Sequence, residues 1–215
     1  MKVIAIDGPS GAGKGTIAKK VASILNYTYV DTGAMYRCVS LKSLRENISE
    51  SDEQSIVDLL KKMNIELTND GKVYMDNEDV SEEIRTVEVT KRVSKISSII
   101  ELRKIMKIKQ RELANNNNIV MEGRDITTEV FPNADYKFYL DASVEERTKR
   151  RYLQNKEKNI DSSLEEVKKM IEERDYDDMH RPVGSLTRTD DQIYIDSSDK
   201  SIEEVVKIII DIVGE

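Results

Sequence analysis

A glycine-rich segment at residues 8–16, with the sequence GPSGAGKGT, constrains the fold of this chain more than any other feature. A short apolar run at 2–7 precedes it, and apolar residues recur at helical spacing across 17–25. In such a strand–loop–helix unit the glycines let successive backbone N–H groups face one anion, and the helix start adds partial positive charge. The segment therefore predicts a loop for the phosphates of a nucleoside triphosphate, with a plain strand-to-helix turn as the alternative.

One position departs from the general phosphate-loop pattern. That pattern places Ser or Thr directly after the lysine, where its hydroxyl binds Mg²⁺. Here Gly15 takes that position, an order typical of nucleoside and nucleotide monophosphate kinases. We therefore expect Mg²⁺ to arrive with ATP, held mainly by phosphate oxygens and water, with no protein metal site assigned. The residues expected to bind the triphosphate are Gly8, Pro9, Ser10, Gly11, Ala12, Gly13, Lys14, Gly15 and Thr16.

The composition predicts an acidic globular protein with one main core. The chain has 215 residues and a formal net charge of −7, which argues against binding to nucleic acid or to an anionic membrane. The sequence contains no apolar run long enough to span a membrane and no pattern of a secretion signal at its start. The single cysteine, Cys38, is interpreted as a buried apolar residue. We expect a cytoplasmic protein and, by default, a monomer.

Strand and helix patterns alternate along the chain, which predicts an α/β fold with a five-stranded parallel sheet. The strand patterns lie at 2–7, 27–30, 119–121, 136–140 and 193–195, and the helical patterns between and after them at 17–25, 34–41, 145–154, 164–178 and 201–213. Thr32 is predicted to cap the second helix. A hairpin pattern around Asp70 and Gly71 interrupts the alternation, so residues 60–85 are predicted to belong to an inserted subdomain. Two charged helices should follow across 81–114, with a break near Ser97 and Ser98.

Arginines recur where loops follow strands and near the ends of helices. They are Arg37, Arg103, Arg124, Arg174, Arg181 and Arg188. In a chain of net negative charge this placement predicts a second anionic substrate beside the triphosphate, although any single arginine could be a solvated surface residue. Phosphoryl transfer depends on positioning and charge neutralisation, and the forked guanidinium group suits phosphate oxygens.

Several segments resemble bacterial cytidylate kinases, and they occur in the same order through nearly the whole chain. They are GPSGAGKGT at 8–16, DTGAMYR at 31–37, DVSEEIR at 79–85, GRD at 123–125, DAS at 141–143, and ERD at 173–175 with Asp178 and Arg181 after it. The first segment alone is unspecific, whereas the second and third together are far more specific. The chain departs from the family at Thr32, Glu122 and Thr127, where serine, aspartate and glycine are usual, and no departure removes a charged contact.

The resemblance implies a three-part kinase that transfers a phosphate from ATP to CMP or dCMP. The core would comprise 1–40, 115–145 and 190–215, the nucleoside-monophosphate-binding part about 41–114, and a mobile lid about 147–160. By the same resemblance, Arg37, Arg124 and Arg181 would hold the CMP phosphate, Thr32, Ser94, Arg103 and Asp125 would bind the base, Arg174 and Asp178 would hold the sugar, and Arg150 would contact ATP. Lys14, Arg124 and Arg181 are the residues expected to act in catalysis.

The edge of cytosine agrees with this assignment of the base site. Cytosine presents an amine donor beside the N3 and O2 acceptors, so a carboxylate at Asp125 and a guanidinium at Arg103 complement it. Other small-molecule kinases, for shikimate, dephospho-coenzyme A, adenylate or uridylate, remain alternatives, as does a non-catalytic nucleotide-binding module. Guanine switches carry an Asn-Lys-x-Asp segment, and the nearest match at 155–158 lacks the aspartate.

The single histidine, His180, invites an interpretation as a general base. It follows the helical pattern that carries Arg174, where an exposed imidazole at a helix end is the simpler interpretation. The acceptor of this reaction is already a phosphate dianion near neutral pH, so the chemistry does not require a base. We therefore expect His180 to take no part in the transfer.

Overall fold

The computed structural model describes residues 1–115, 117–157 and 159–214. The core range predicted at 115–145, the lid predicted at about 147–160 and the core range predicted at 190–215 include Asn116, Lys158 and Glu215, respectively, which lie outside the described residues. The strands are β1 (Val3–Asp7), β2 (Thr28–Asp31), β3 (Ile65–Leu67), β4 (Val73–Met75), β5 (Glu78–Asp79), β6 (Ile119–Gly123), β7 (Tyr136–Asp141) and β8 (Ile193–Asp196). The α-helices are α1 (Lys14–Leu25), α2 (Thr32–Arg45), α3 (Glu53–Lys62), α4 (Val87–Ile96), α5 (Ile100–Leu113), α6 (Val144–Glu157), α7 (Leu164–His180) and α8 (Ile202–Val213).

A five-stranded parallel sheet forms the centre of the fold, which confirms the predicted α/β class. Its strand order is β2-β6-β1-β7-β8, and each neighbouring pair is parallel. The register places Asp7 of β1 beside Gly123 of β6, and Asp31 of β2 beside Glu122. Because these residues end their strands, the segments that follow them meet at one edge of the sheet, where doubly wound folds bind their ligands.

Side chains that alternate along β1 build a core on each face of the sheet. Ile4 and Ile6 pack in a cluster with residues of α1 and α8, whereas Val3 and Ala5 pack in a second cluster with residues of β2 and β6. Both faces of this middle strand are buried, as is usual for strands of a parallel sheet. The glycine loop therefore follows a strand that is buried on both faces.

The predicted inserted hairpin is confirmed as part of a small antiparallel sheet. Strand β4 pairs with β3, with Ile65 opposite Met75, and also with β5, which the sequence did not predict. The helices α4 and α5 follow, separated between Ile96 and Ile100, which confirms the predicted break. Residues of α2 to α5 share an apolar cluster with this sheet, distinct from the two clusters on the faces of the central sheet.

Two local expectations were wrong or incomplete. The carboxylate of Asp31, not the hydroxyl of Thr32, caps α2 and accepts a hydrogen bond from the backbone N–H of Ala34 at 2.9 Å. The π-helical turn at Ile126–Val130 was not predicted from the sequence. Cys38 is buried and free, as expected. Within the described ranges no helix has both the length and the apolar composition needed to cross a membrane.

Candidate active site

A cleft of about 1700 Å³ opens along the carboxyl ends of the central strands. It brings the glycine loop together with the arginine-rich segments, which lie far apart in the sequence. The predicted site residues that line it are Ser10, Gly11, Ala12, Gly13, Lys14, Gly15, Thr16, Thr32, Arg37, Ser94, Arg103, Arg124, Asp125, Arg150, Arg174, Asp178 and Arg181. Gly8 and Pro9 are not among the lining residues. Gly8 instead packs against β7, where an added Cβ would lie 1.9 Å from the Leu140 carbonyl oxygen.

Lys14 is the buried cation of the loop. It is the first residue of α1, only 5% of it is exposed, and its Nζ donates a hydrogen bond to the Pro9 carbonyl at 2.8 Å. Burial lowers the pKa of Lys14, and the positive charge of Arg124 lowers it further. An anion bound in the loop would favour the charged form and raise this pKa again. The loop is thus suited to an anionic ligand.

The glycine that departs from the general pattern has a steric reason in this fold. An added Cβ at Gly15 would lie 3.2 Å from Oε1 of Glu122 and 3.3 Å from the hydroxyl of Tyr29. The carboxylate of Glu122 thus lies where a Ser or Thr side chain would extend from the loop. Burial raises the pKa of Glu122, and the nearby charge of Asp31 raises it further.

A buried network of two arginines and one carboxylate lies across the cleft from the loop. Nε of Arg124 donates to Oδ2 of Asp178 at 2.7 Å, and Nη2 of Arg181 donates to Oδ1 of the same carboxylate. Burial alone would raise the pKa of Asp178, but the surrounding arginines outweigh burial and hold it below its usual range. The network therefore fixes two guanidinium groups around one carboxylate and leaves a net positive charge.

Arg37 and Arg174 contribute further positive charge to the side of the cleft that holds Arg124 and Arg181. Burial lowers the pKa of Arg37 to about 9, and the charge of Arg174 adds to that shift. Burial likewise lowers the pKa of Arg174 to about 10, with Arg124 as the next cause, and Nε of Arg174 is buried without a hydrogen-bond partner. Arg37 donates to the hydroxyl of Thr90 at 2.8 Å, which is a neutral acceptor. The charge of Arg174 disfavours the charge of Arg37, so an anionic ligand bound here would stabilise the charged form.

The residues assigned to the base form a separate group at the insert side of the cleft. Arg103 donates from Nη2 to Oδ2 of Asp125 at 2.6 Å and from Nη1 to the Ser97 carbonyl at 2.8 Å, and its guanidinium lies 5.4 Å from the centre of the Tyr36 ring. Asp125 therefore pairs with Arg103 rather than with Arg124. Ser94 also lines the cleft.

The hydroxyl of Thr32 has a different role in this structure from the one assigned to it. It donates to the Glu122 carbonyl at 2.7 Å and holds the start of α2 against the end of β6. Thr32 still lines the cleft.

The departure at Thr127 stabilises the turn after β6. The buried carboxylate of Asp7 accepts hydrogen bonds from the backbone N–H groups of Ile126 and Thr127, at 2.9 Å and 2.8 Å, and from the Thr127 hydroxyl at 2.6 Å. Gln192 donates to the same hydroxyl oxygen. The last residue of β1 thus fixes the segment directly after Arg124 and Asp125.

Several residues of the site were not assigned a role from the sequence. Arg147 is buried and bonded to the loop, Asp175 is its partner on α7, and Arg85 makes an ion pair with Asp31 at 3.4 Å. Arg147 lies in the same helical run as Arg150, and nothing in the sequence distinguishes a buried arginine from an exposed one there. Arg150 bonds to Ser197 beside the loop, as suits its assignment to ATP.

Comparison with known proteins identifies the family. The family model described as "Cytidylate kinase" matches residues 4–215. The chain belongs to the cytidylate kinase family. The cytidylate kinase of Caldanaerobacter subterraneus subsp. tengcongensis is 50% identical over 204 residues, which cover 95% of this chain and 91% of that protein. The cytidylate kinase of Desulforamulus reducens is 49% identical over 211 residues, which cover 97% and 95%.

A solved structure agrees with the fold of this cytidylate kinase family member. The crystal structure of an uncharacterized protein from Eubacterium ventriosum ATCC 27560 has a TM-score of 0.55 and 13% identity, and the match covers 100% of this chain and 99% of that one. At this identity the likeness concerns the fold alone. The resemblance read from the sequence segments is confirmed by the family match, which spans those segments.

Proposed function

We propose that this chain transfers the γ-phosphate of ATP to CMP or dCMP and releases ADP with CDP or dCDP. The proposal rests on one observation: a single cleft brings together the phosphate loop, a group of arginines, and the pair of Arg103 and Asp125, which suits cytosine. The arginines are Arg37, Arg124, Arg174 and Arg181. Membership of the cytidylate kinase family supports the same activity. The competing small-molecule kinases would need the loop and the arginines, but not the pair formed by Arg103 and Asp125.

In this mechanism the protein acts by positioning and by neutralising charge. Lys14 neutralises the outer phosphates of ATP, since it is the buried cation of the loop. Arg124 and Arg181 hold the acceptor phosphate and stabilise the charge that develops as the phosphoryl group moves, whereas Arg37 orients the acceptor. No general base is required, and His180 is exposed at the end of α7, with its Nδ1 2.8 Å from the Tyr176 carbonyl oxygen.

The residues present fit a magnesium ion that arrives with ATP. Among the described residues no group of three or more His, Cys, Asp or Glu side chains forms a metal cluster. Glu122 and Asp31, near the ends of β6 and β2, line the cleft together with the loop, and oxygen ligands of this kind suit Mg²⁺ through its bound water. Bound to the phosphates, the ion would supply charge neutralisation, and the protein would contribute these carboxylates around it.

We assign the three parts of the kinase to the same ranges that were expected from the sequence. The core at 1–40, 115–145 and 190–215 would bind ATP, the part at about 41–114 would bind CMP, and the segment at about 147–160 would close over both. An apolar cluster that joins α3 to α5 and the antiparallel sheet, with α2 packed against them, supports the second unit. Expectations of a monomer, of a cytoplasmic location, and of no binding to nucleic acid or membrane stay predictions.

Release of ADP with a panel of acceptors tests the proposal. The panel comprises CMP, dCMP, UMP, AMP, GMP and shikimate, each at a series of concentrations with saturating ATP and Mg²⁺. We expect kcat/KM to be highest for CMP or dCMP. Lys14→Ala should abolish this activity, whereas Lys168→Ala on the exposed face of α7 should keep it. No CMP- or dCMP-dependent ADP release by the folded wild type would contradict the proposal.

A further inference from the structure

Arg147 occupies a junction that the mechanism above does not use. Its side chain is 5% exposed, and Nε donates to the Ala142 carbonyl at 2.9 Å. Nη1 donates to the Ser10 carbonyl at 3.1 Å and to Oδ2 of Asp175 at 2.6 Å. Ala142 follows β7, Ser10 belongs to the phosphate loop, and Asp175 lies on α7. One buried cation therefore joins the central sheet, the ATP loop and a helix of the CMP side.

The phosphate loop also rests on the aliphatic part of the same side chain. A Cβ added at Gly11 would lie 3.3 Å from Cβ and 3.7 Å from Cγ of Arg147, so the loop backbone is in close contact with this stem. The loop is therefore fixed by packing at Gly11 and by a hydrogen bond at Ser10. Arg147 is therefore in direct contact with the backbone of the loop at two neighbouring residues.

Asp175 carries this connection to the residues that face CMP. On α7 it directly follows Arg174 and lies three residues before Asp178, which bonds to Arg124 and Arg181. Residues three apart lie on the same side of a helix. Oδ2 of Asp175 accepts from Arg147, and its Oδ1 is buried without a hydrogen-bond partner. The orientation of this carboxylate thus depends on Arg147.

We propose that Arg147 and Asp175 are a positioning pair that couples the ATP site to the CMP site. The proposal rests on the proposed function, because it assumes that ATP binds to the loop and that CMP binds to the arginines of the cleft. ATP phosphates on the loop fix the Ser10 carbonyl and hence Arg147, and Arg147 then holds Asp175 and α7 at the spacing that transfer requires. A misplacement of about 1 Å costs roughly a hundredfold in rate, so this spacing matters.

The coupling is measurable as a ratio of dissociation constants. Calorimetry gives the Kd of CMP alone and in the presence of a non-hydrolysable ATP analogue, first for wild type and then for two variants. Asp175→Asn keeps the side-chain shape but loses the charge, and Arg147→Lys keeps the charge but loses the fork that reaches three acceptors. Coupling between two ligand sites is typically about 5–150-fold. We expect each variant to bind either nucleotide alone within about twofold of wild type and to lose most of the coupling, with kcat reduced more than either KM.

An exposed ion pair between the same two helices provides the control. Nζ of Lys168 lies 3.7 Å from Oε1 of Glu145, and both side chains are exposed. Lys168→Gln removes this link between α6 and α7 and should leave the coupling at the wild-type value. A purely structural role for the buried pair would lower the melting temperature of the variants and leave the coupling unchanged.

Two results would overturn the proposal: full coupling in the folded variants, or wild-type protein in which the nucleotides bind independently. If both single variants fail to fold, the double variant with Arg147→Met and Asp175→Leu carries the test, because it leaves no unpaired buried charge. Failure of the proposed function looks different, since wild type would then bind the ATP analogue but not CMP.

Discussion

Replacement of Asp125 by Asn tests how the cleft selects its base. An ionised carboxylate accepts a hydrogen bond from the amine of cytosine, but it faces a carbonyl oxygen when uracil occupies the site. This mismatch costs about 1–3 kcal/mol, which corresponds to roughly a fivefold to 150-fold preference for CMP over UMP in kcat/KM. An Asn amide can donate or accept, so in Asp125→Asn the preference should fall towards one.

The effect of Asp125→Asn on the preference for the base can be separated from its effect on the rest of the site. Asp125 is bonded to Arg103 at 2.6 Å, and their side chains are 13% and 5% exposed. The loss of that charge-assisted bond costs about 1.5–3 kcal/mol, and it slows both substrates. This loss therefore cancels in the ratio of kcat/KM for CMP to kcat/KM for UMP. The structure also removes one competing interpretation, in which Asp125 holds Arg124, because Arg124 pairs with Asp178.

The assay is release of ADP over concentration series of CMP and UMP, with wild type and two variants. Asp178→Asn is the matched control, since Asp178 is a buried carboxylate of the same cleft that holds phosphate-binding arginines. It should reduce kcat/KM for both substrates by a similar factor and leave the ratio unchanged. A ratio in Asp125→Asn equal to that of wild type would refute the base-binding role.

Four further predictions concern the loop, the lid and the turn after β6. Lys14→Ala should lower kcat by about 10²-fold or more at saturating ATP and CMP, because the residue neutralises developing charge. In wild type, the phosphates of ATP should restore the charge of Lys14, so the protein should take up protons when ATP binds. This uptake should increase as pH rises through the lowered pKa of Lys14. Calorimetry in buffers of different ionisation enthalpy measures it. Backbone amides at 150–157 should exchange faster in the free enzyme than with both nucleotides bound. Thr127→Val should lower the free energy of unfolding in urea by about 1–3 kcal/mol, because buried Asp7 loses a donor.

Each of these predictions has a result that contradicts it. Near-wild-type turnover in folded Lys14→Ala would remove the loop lysine from the mechanism. Proton uptake that does not change with pH would show that Lys14 is already fully charged in the free enzyme. Identical exchange at 150–157 in the free and doubly bound states would argue against a lid there. Thr127→Ser keeps the hydroxyl, so it should be much more stable than Thr127→Val, and equal losses would contradict the hydrogen-bond explanation.

Local patterns in the sequence were sufficient for the class of fold and for most elements. The β-branched run before Gly8, the alternating residues around Asp70 and Gly71, and the helical spacing of 201–213 each depend on neighbours in the chain, and all three predictions were confirmed. The order of the strands, β2-β6-β1-β7-β8, was not predicted, because no local pattern specifies which strands become neighbours.

The errors occurred where a distant residue determines local structure. Thr32 was expected to cap α2, but its hydroxyl bonds to the Glu122 carbonyl, and Asp31 provides the cap. The π-helical turn at Ile126–Val130 depends on Asp7, which is more than a hundred residues earlier in the chain. The same limit applies to Arg147, whose partners are contributed by three separate segments. All of the predicted site residues except Gly8 and Pro9 line one cleft, and their roles stay predictions, whereas their partners became visible only in the folded structure.

The charges of the cleft show why an acidic protein can bind two anions side by side. Arg103 pairs with Asp125, whereas Arg124 and Arg181 share the carboxylate of Asp178 and so keep a net positive charge. In the described part of the chain, Arg37 and Arg174 make no ion pair, and burial lowers the pKa of both. An acceptor nucleotide bound beside them would bring negative charge and raise both pKa values again. We therefore expect the paired arginines to keep the shape of the site while they contact the acceptor phosphate, and Arg37 and Arg174 to add attraction for the acceptor nucleotide.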